Sequence, residues 1–286
     1  MAITWSTRKL LSNNIIPNTR TSNPASAGFF VGTFVPMYTL KKSLGQHFLK
    51  DENVCRKIVE ELKQCPLERL VEVGPGGGAL TKHLLQLSGV DFKAVEIDDE
   101  KVVFLKNTYP ELKDRIIHQS FLDTDQPFSE PFTVVGNFPY NISTQILFKI
   151  LEWESSVQCV VGMFQKEVAQ RVAEKEGSKV YGVTSVLVQA FYEVTYLFDV
   201  AENSFIPPPK VKSGVIRLLP RKEPLDIKSR EKFFRLVKAA FGQRRKTMRN
   251  ACKSLFDPAT LQQPVFDKRA EQLSVTDFAH LSFQMI

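Results

Sequence analysis

Short apolar runs alternate with amphipathic segments over most of the chain between residues 54 and 219. Apolar runs bounded by loop residues predict buried strands, and apolar positions at helical spacing predict helices. The predicted strands cover residues 70–73, 92–98, 115–118, 133–136, 157–163, 196–200 and 215–219. The predicted helices lie near residues 54–62, 80–85, 102–106, 144–153 and 165–176. This alternation is typical of an α/β fold.

The first predicted strand runs into a glycine-rich turn that begins at Gly74. Glycines allow close approach to a ligand, and the start of the following helix favours polar or anionic groups. The second strand carries Glu96, 22 residues further on (96 − 74), where an acid can bind ribose hydroxyls. The two signals predict a site for an adenosine-containing cofactor, with a purely structural turn as the alternative.

The fourth predicted strand opens into the sequence Asn137-Phe138-Pro139-Tyr140. Pro139 fixes its own φ and keeps Phe138 extended. Asn137 follows a strand end, where open α/β sheets bind ligands, and its amide offers both an acceptor and a donor. Together with the Phe138 carbonyl and the Tyr140 ring, it can hold a flat heterocycle that bears an amine. The alternative is a helix-capping Asn beside a core Tyr.

Three consecutive prolines follow Ile206 and make a stiff extended segment. Such a segment can fix Phe205 as a projecting aromatic residue. In the alternative interpretation, Phe205 is buried beneath a rigid loop.

The chain becomes strongly basic towards its carboxyl end. Residues 210–255 hold fifteen Lys or Arg and three acids, and apolar positions such as Phe233 and Val237 interleave with the charges. This pattern predicts a small helical domain with a basic face. The densest basic group comprises Arg244, Arg245, Lys246 and Arg249. Because the charges have one sign, we interpret this face as a phosphate-binding surface, although a solvated face is the alternative.

Composition and charge narrow the function classes. With 286 residues, a net charge of +7 and a pI of about 9.1, the chain is expected to have two domains and a polyanionic partner. No apolar run reaches the roughly 20 residues that a membrane helix needs. The four cysteines form no C-x-x-C pair, and the four histidines lack metal-ligand spacing. We therefore expect reduced thiols, no metal site and a cytoplasmic protein.

Residues 1–38 differ from the rest of the chain in composition. They are rich in Ser, Thr, Asn and Gly, and no acid occurs before Asp51. A transit peptide has this composition. We favour the alternative of an upstream extension with Met37 as the working start, and we leave these residues out of the fold prediction.

Several motifs in order carry a family resemblance. They read LGQHFL at 44–49, VEVGPGGGALT at 71–81, VEID at 95–98, GNFPY at 136–140, SFIPPPKVKSGV at 204–215 and FDKRAEQLSVTDFAHL at 266–281. In these motifs the chain resembles the small-subunit ribosomal RNA adenine N6-dimethyltransferases of the kasugamycin-sensitivity family. The resemblance implies a class I Rossmann-like S-adenosylmethionine methyltransferase domain over residues 39–219. It also implies a small all-α domain that binds RNA over residues 220–286.

The resemblance further implies roles for individual residues. The implied cofactor contacts are His47, Leu49, Gly74, Glu96, Ser120 and Asn137. Ser120 stands where the family has an Asp that binds the adenine amine of the cofactor. The implied catalytic motif is Asn137, Phe138, Pro139 and Tyr140, with Tyr140 and Phe205 enclosing the target base. The implied RNA contacts are Arg244, Arg245, Lys246 and Arg249.

The implied reaction is dimethylation of N6 on two adjacent adenines, in a hairpin loop near the 3′ end of 16S ribosomal RNA. The implied partner is this RNA within an assembling 30S subunit, and we expect a monomer without membrane contact. One alternative is the erythromycin-resistance type of enzyme, which modifies large-subunit RNA. Another is a non-catalytic ribosome assembly factor. A nicotinamide oxidoreductase is disfavoured because the glycine order does not follow G-x-G-x-x-G.

Overall fold

A computed structural model describes residues 47–286. The predicted extension over residues 1–38 and the first three residues of the motif at 44–49 lie outside the described residues, so those expectations stay predictions. Over residues 47–286, no helix is both long and apolar enough to cross a membrane.

The strands confirm the predicted α/β pattern. Those in the described chain are β1 Phe48–Leu49, β2 Arg69–Val73, β3 Asp91–Glu96, β4 Ile116–His118, β5 Phe132–Asn137, β6 Val157–Gln165, β7 Tyr192–Val200, β8 Phe205–Ile206 and β9 Ser213–Pro220. Seven of them form one sheet in the order β4-β3-β2-β5-β6-β9-β7, while β1 pairs with β8. The pairs from β4 to β6 are parallel, and β9 runs antiparallel to both β6 and β7.

The α-helices of the described chain lie between the strands and after β9. They are α1 Glu52–Leu62, α2 Thr81–Leu84, α3 Asp99–Thr108, α4 Ser143–Glu152, α5 Lys166–Ala173, α6 Val183–Gln189, α7 Arg230–Gly242, α8 Met248–Ala251 and α9 Val275–Phe283. Capping side chains lie at the N-termini of several of these helices. Asp51 accepts hydrogen bonds from the amides of Asn53 and Val54 at α1, and Ser274 and Asp277 form a capping box at α9.

The central strands are buried on both faces because helices cover the parallel sheet on each side. In β5, every residue from Phe132 to Gly136 is buried, and only Asn137 at its carboxyl end is partly exposed. The polar residue thus lies where the strand leaves the core.

The helical segment after residue 219 shares a core with the sheet. Phe233 of α7 and Phe278 of α9 belong to the same buried cluster as Val134 of β5. Arg230 at the start of α7 donates a hydrogen bond to the carbonyl of Leu151 in α4. The described residues all lie within one compact unit, so the predicted boundary between residues 219 and 220 stays a prediction.

Two boundaries differ from those expected. The segment 183–194 is mainly apolar, and the structure divides it into α6 and the beginning of β7, which starts at Tyr192 instead of residue 196. Helix α5 ends at Ala173 instead of residue 176. A mainly apolar run does not by itself distinguish a buried helix from a buried strand.

The expectation of reduced thiols is wrong for one pair of cysteines. The sulfur atoms of Cys65, which follows α1, and Cys159 in β6 are bonded to each other. Cys55 and Cys252 are free and buried. The bonded residues are separated by 94 positions, so only the tertiary fold brings them together.

Candidate active site

The carboxyl ends of β2, β3 and β5 meet at one edge of the sheet, as expected for neighbouring parallel strands. Gly74 follows β2, Glu96 ends β3 and Asn137 ends β5. The Gly74 amide donates a hydrogen bond to the Val95 carbonyl at 2.9 Å. The fold therefore brings the three predicted site residues to one edge.

Glu96 is held by backbone amides on both sides. Its Oε2 accepts a hydrogen bond from the Gly76 amide at 3.0 Å. Its Oε1 accepts from the amides of Ile97 and Asp98, each at 3.0 Å. The side chain is 6% exposed. Because each carboxylate oxygen has two lone-pair positions and only one on Oε2 is used, the oriented group can still accept a hydrogen bond from a hydroxyl through Oε2.

The glycine turn depends on left-handed backbone. Gly74 has a φ of 67° and Gly76 a φ of 56°, a region that other residues rarely adopt. A Cβ at Gly76 would also lie 2.9 Å from the Phe48 ring. The turn therefore needs glycine both for its conformation and for the ring that packs on it.

Glu72 is a buried acid beneath the glycine turn. Thr81 at the start of α2 donates its hydroxyl hydrogen bond to Glu72 Oε2 at 2.6 Å. Burial raises the pKa of Glu72 to about 8, and the negative charge of Glu96 adds to the increase. The pair ties the end of β2 to α2. An acid inside an otherwise apolar strand is the sequence signal for this residue.

Asn137 is anchored through the nitrogen of its amide. Its Nδ2 donates a hydrogen bond to the His47 carbonyl at 2.9 Å. Because a carbonyl only accepts, this bond identifies the amide atom that faces His47 as the nitrogen. Oδ1 is therefore left as an acceptor. Oδ1 makes no hydrogen bond to residues 47–286 in the structure.

Phe138 serves the core through its side chain. The ring is fully buried and lies edge-on to Phe164 with the ring centres 5.0 Å apart. Its amide donates to the Met163 carbonyl at 3.1 Å. Pro139 follows with a φ of −56°, and a short 3-10 helix begins at Tyr140. The side chain of Phe138 is thus a packing residue, and only its backbone belongs to the site edge.

Tyr140 is half-buried and held at both its ring and its hydroxyl. Its Oη and Ser213 Oγ in β9 are 2.5 Å apart. The His47 imidazole stacks on the ring with centres 5.4 Å apart and planes 28° apart. His47 Nδ1 in turn donates to the Pro207 carbonyl at 2.9 Å. The ring therefore already holds a flat heterocycle supplied by the chain itself.

Phe205 does not project from the surface, so the expectation that its ring is free to enclose the target base is wrong. The residue is 1% exposed and packs in a buried cluster. In β8, Phe205 pairs with Leu49 of β1, and the alternation along the strand turns Ile206 outward with 47% exposure. Phe205 offers no free ring face to a base in this structure, and Leu49 is also buried.

Ser120 lies in the loop that follows β4. The neighbouring Gln119 amide donates to the Glu96 carbonyl at 3.1 Å, which places the loop beside the end of β3. Ser120 Oγ accepts a hydrogen bond from the Leu122 amide at 3.3 Å. The hydroxyl thus stabilises its own loop, and its contact to a cofactor stays a prediction.

The four predicted RNA-binding side chains divide into two pairs. Arg249 bonds to the Leu261 carbonyl and forms an ion pair with Asp267 at 2.8 Å. Arg244 donates to two backbone carbonyls of the loop after α5. Arg245 and Lys246 are exposed, and neither side chain has a partner among residues 47–286. Two of the four therefore hold internal contacts.

The geometry fits an adenosine-containing cofactor. The oriented carboxylate of Glu96 bonds to the glycine turn, and Gly74 and Gly76 add no side chains of their own at this edge. Among the described residues, no group of three His, Cys, Asp or Glu side chains is placed to hold a metal ion.

Comparison with known proteins agrees with this geometry. The profile of the ribosomal RNA adenine dimethylase family matches residues 37–285. The chain is 51% identical to the ribosomal RNA small subunit methyltransferase A of Cytophaga hutchinsonii, over 85% of this chain and 95% of that protein. It is also 51% identical to the protein of the same name in Flavobacterium johnsoniae, over 85% of this chain and 94% of that protein.

Solved structures share the fold. A dimethyladenosine transferase from Plasmodium falciparum superposes with a TM-score of 0.70 at 24% identity, over 84% of this chain and 99% of that one. The 23S rRNA methyltransferase ErmE superposes with a TM-score of 0.63 at 24% identity, over 82% and 99% of the two chains. The predicted class I methyltransferase fold is confirmed. The chain therefore belongs to the ribosomal RNA adenine dimethylase family of S-adenosylmethionine-dependent methyltransferases.

Proposed function

We propose that this chain dimethylates N6 of two adjacent adenines in a hairpin loop near the 3′ end of small-subunit ribosomal RNA. It uses S-adenosylmethionine and acts as a cytoplasmic monomer on the RNA of an assembling small subunit. The observation that carries the proposal is the oriented Asn137 amide, whose Oδ1 remains an acceptor beside the Tyr140 ring. The high identity to relatives named for the small subunit supports the choice of RNA.

Asn137 and Phe138 act on the low nucleophilicity of the adenine N6 atom. The N6 lone pair of adenine is delocalised into the ring, so the nitrogen is a weak nucleophile. In the first transfer, Asn137 Oδ1 and the Phe138 carbonyl accept hydrogen bonds from the two N–H groups of N6 and draw the nitrogen towards tetrahedral geometry. In the second transfer, the monomethylated nitrogen has one N–H left to donate to either acceptor. When bound, the cofactor supplies a methyl group activated by a sulfonium. In each transfer, N6 gains a methyl group and releases one proton to water. Catalysis consists mainly of positioning and electrostatics.

The target base must leave its stack to reach the site. Tyr140 provides a ring on which a base can stack, a contact that contributes roughly 1–3 kcal/mol. His47 covers one face of that ring in the structure. An entering base has either to displace the His47 imidazole or to use the opposite face.

The two alternatives differ in the RNA and in the chemistry. An enzyme of the erythromycin-resistance type would modify large-subunit RNA, and the long basic carboxyl-terminal region favours the small subunit instead. A non-catalytic assembly factor would have no use for an oriented Asn137 beside Tyr140. Intact residues at this motif therefore favour an active enzyme.

Mapping of N6-dimethyladenine on ribosomal RNA, in cells with and without the chain, tests the proposal. We expect two adjacent dimethylated adenines near the 3′ end of small-subunit RNA that depend on the chain. A change confined to large-subunit RNA would support the erythromycin-resistance type. Identical methylation in both strains would support a non-catalytic role.

Calorimetry with purified protein tests the cofactor. The glycine turn and Glu96 predict binding of S-adenosylmethionine and not of NAD. Tighter binding of NAD would contradict the proposed chemistry.

A further inference from the structure

Lys101 in the first turn of α3 is a buried cation that the proposed mechanism does not use. Its side chain is 1% exposed, and its ammonium nitrogen lies 3.1 Å from Asp98 Oδ2. Lysine is rarely buried unless it is paired, and a cation in the first turn of a helix opposes the helix dipole. Helix stability therefore does not explain the residue, so its contacts outside the helix bear on its role.

The acid that pairs with Lys101 belongs to the edge of the sheet that carries Glu96. Asp98 is the N-cap residue of α3, and its Oδ1 accepts a hydrogen bond from the Glu100 amide at 3.1 Å. The Asp98 amide donates to Glu96 Oε1 at 3.0 Å. The ion pair is therefore joined, through the Asp98 backbone, to the acid that is proposed to bind the ribose of the cofactor.

The Lys101 ammonium group also contacts an aromatic ring of β1. It lies 5.1 Å from the centre of the Phe48 ring, within the range of a cation–π interaction. The same ring packs on the glycine turn, where a Cβ at Gly76 would lie 2.9 Å from it. Phe48 therefore contacts both the cation of α3 and the turn that follows β2.

Phe48 connects this contact to the catalytic motif. It lies between His47 and Leu49, which the family resemblance implies as cofactor contacts, and the His47 carbonyl accepts the hydrogen bond from Asn137 Nδ2. Strand β1 has only two residues, and so has its partner β8. A two-stranded ladder as short as this is marginal by itself. Side-chain contacts are therefore needed to keep β1 in place.

We propose that Lys101 is a positioning residue for the cofactor: its ammonium group holds the Phe48 ring on the glycine turn and thereby keeps β1 in the conformation that binds S-adenosylmethionine. The proposal deepens the proposed function, on which the identity of the cofactor rests. Lys101 acts on the free chain, because it raises the fraction of molecules in which β1 is ready to bind. Bound cofactor stabilises the same conformation, so the chemical step at Asn137 does not depend on the lysine.

The first test replaces Lys101 with Met, which keeps most of the side-chain length and removes the charge. A cation over an aromatic ring that is shielded from water changes an equilibrium about 3- to 30-fold. The dissociation constant for S-adenosylmethionine, measured by calorimetry without RNA, should increase by this factor. Lys106→Met removes an exposed cation from the same helix and is the matched control, which should bind as the wild type does. Equal affinity of Lys101→Met and the wild type overturns the proposal.

A double variant separates the ring contact from simple charge balance. Removal of one partner from a buried ion pair is strongly destabilising. Asp98→Asn together with Lys101→Met removes both charges, and asparagine still caps the helix. The double variant should bind the cofactor as weakly as Lys101→Met, because the contact to the ring is still absent. Wild-type affinity in the double variant would show that Lys101 only balances Asp98, and the proposal would be wrong.

Substitution of the ring tests the path of the effect. Phe48→Leu removes the aromatic face and keeps an apolar side chain on the turn. If Lys101 acts through the ring, adding Lys101→Met to Phe48→Leu changes the affinity by no more than about 2-fold, the limit within which independent changes usually agree. A further loss as large as in the wild-type background shows that the lysine acts elsewhere and overturns the proposal.

Kinetics and hydrogen exchange distinguish positioning from general structural damage. The KM for S-adenosylmethionine should rise with the dissociation constant, while kcat at saturating cofactor stays near the wild-type value. Amide hydrogen exchange over residues 48–50 should be faster in cofactor-free Lys101→Met than in Lys106→Met, and saturating cofactor should remove the difference. A lower kcat with an unchanged KM, or equal exchange in the two variants, overturns the proposal.

The exchange comparison also separates this proposal from the proposed function, because it needs no cofactor. If the wild type binds no S-adenosylmethionine but Lys101→Met still speeds exchange, the cofactor of the proposed function is rejected and the role of Lys101 in holding β1 stands. If the wild type binds the cofactor and Lys101→Met changes neither exchange nor affinity, the proposed function stands and Lys101 does not position β1.

Discussion

Glu72→Gln should remove a pH dependence of stability that the buried acid imposes. Burial raises the pKa of Glu72 to about 8 from an ordinary value of 4.5. Between these two values the folded chain keeps a proton that the unfolded chain releases. The free energy of unfolding therefore falls as pH rises from about 4.5 to about 8, and this contribution levels off above that.

The size of the effect follows from the difference in pKa. At 1.36 kcal/mol per pKa unit, the step from 4.5 to about 8 corresponds to about 5 kcal/mol. Relaxation of the surroundings around a charged carboxylate lowers this, so we expect about 2–5 kcal/mol. Glutamine does not titrate, and its carbonyl can still accept the hydrogen bond from Thr81.

Urea denaturation of both proteins at pH values from 5 to 9 measures the effect. The stability of Glu72→Gln relative to the wild type should rise by about 2–5 kcal/mol between pH 5 and pH 8.5. Glu111→Gln changes an exposed acid and is the control, since its difference from the wild type should stay nearly constant. If the free energies of unfolding of Glu72→Gln and the wild type change in parallel with pH, the conclusion that Glu72 is neutral at pH 7 is refuted.

Three further predictions concern the site. Asn137→Ala should slow single-turnover methyl transfer about 10²–10³-fold while RNA binding persists, because the oriented acceptor is lost; a fully active variant would contradict its role. Tyr140→Phe should keep methyl transfer near the wild-type rate but lower the free energy of unfolding, measured in urea, by about 1–3 kcal/mol, because buried Ser213 loses its hydrogen-bond partner. Ser213→Ala should lower it by less, since the half-buried Tyr140 hydroxyl can bond to water. Equal losses in the two variants would exclude this reason. Glu96→Ala should weaken S-adenosylmethionine binding by roughly 1–3 kcal/mol in calorimetry, and unchanged affinity would show that Glu96 does not hold the ribose.

The sheet and its ligand edge could be predicted from local sequence. Apolar runs that end in glycine or a polar residue marked β2, β3 and β5, and parallel strands place their carboxyl ends together. The hydrogen bond from the Gly76 amide to Glu96 confirms that the predicted turn and the predicted acid meet. Asn137 likewise lies at a strand end, as its position in the motif indicated.

Features that depend on distant pairing could not be predicted. Phe205 is buried because β8 pairs with β1, far earlier in the chain, and that register decides which side chain faces inward. Arg244 was interpreted as an RNA contact, but its carbonyl partners lie 65 and 63 residues earlier. Neither pairing leaves a local periodic signal, so only the folded chain reveals it.

The core shared by the sheet and the carboxyl-terminal helices limits how this protein can be divided or recombined. A chain cut after residue 219 would strip Phe233 and Phe278 from the cluster that contains Val134 and uncover apolar surface on the remaining part. Exchange of the helices between relatives would require both sides of the interface to change together. We therefore expect target preference in such enzymes to diverge through substitutions on exposed loops rather than through shuffling of whole modules.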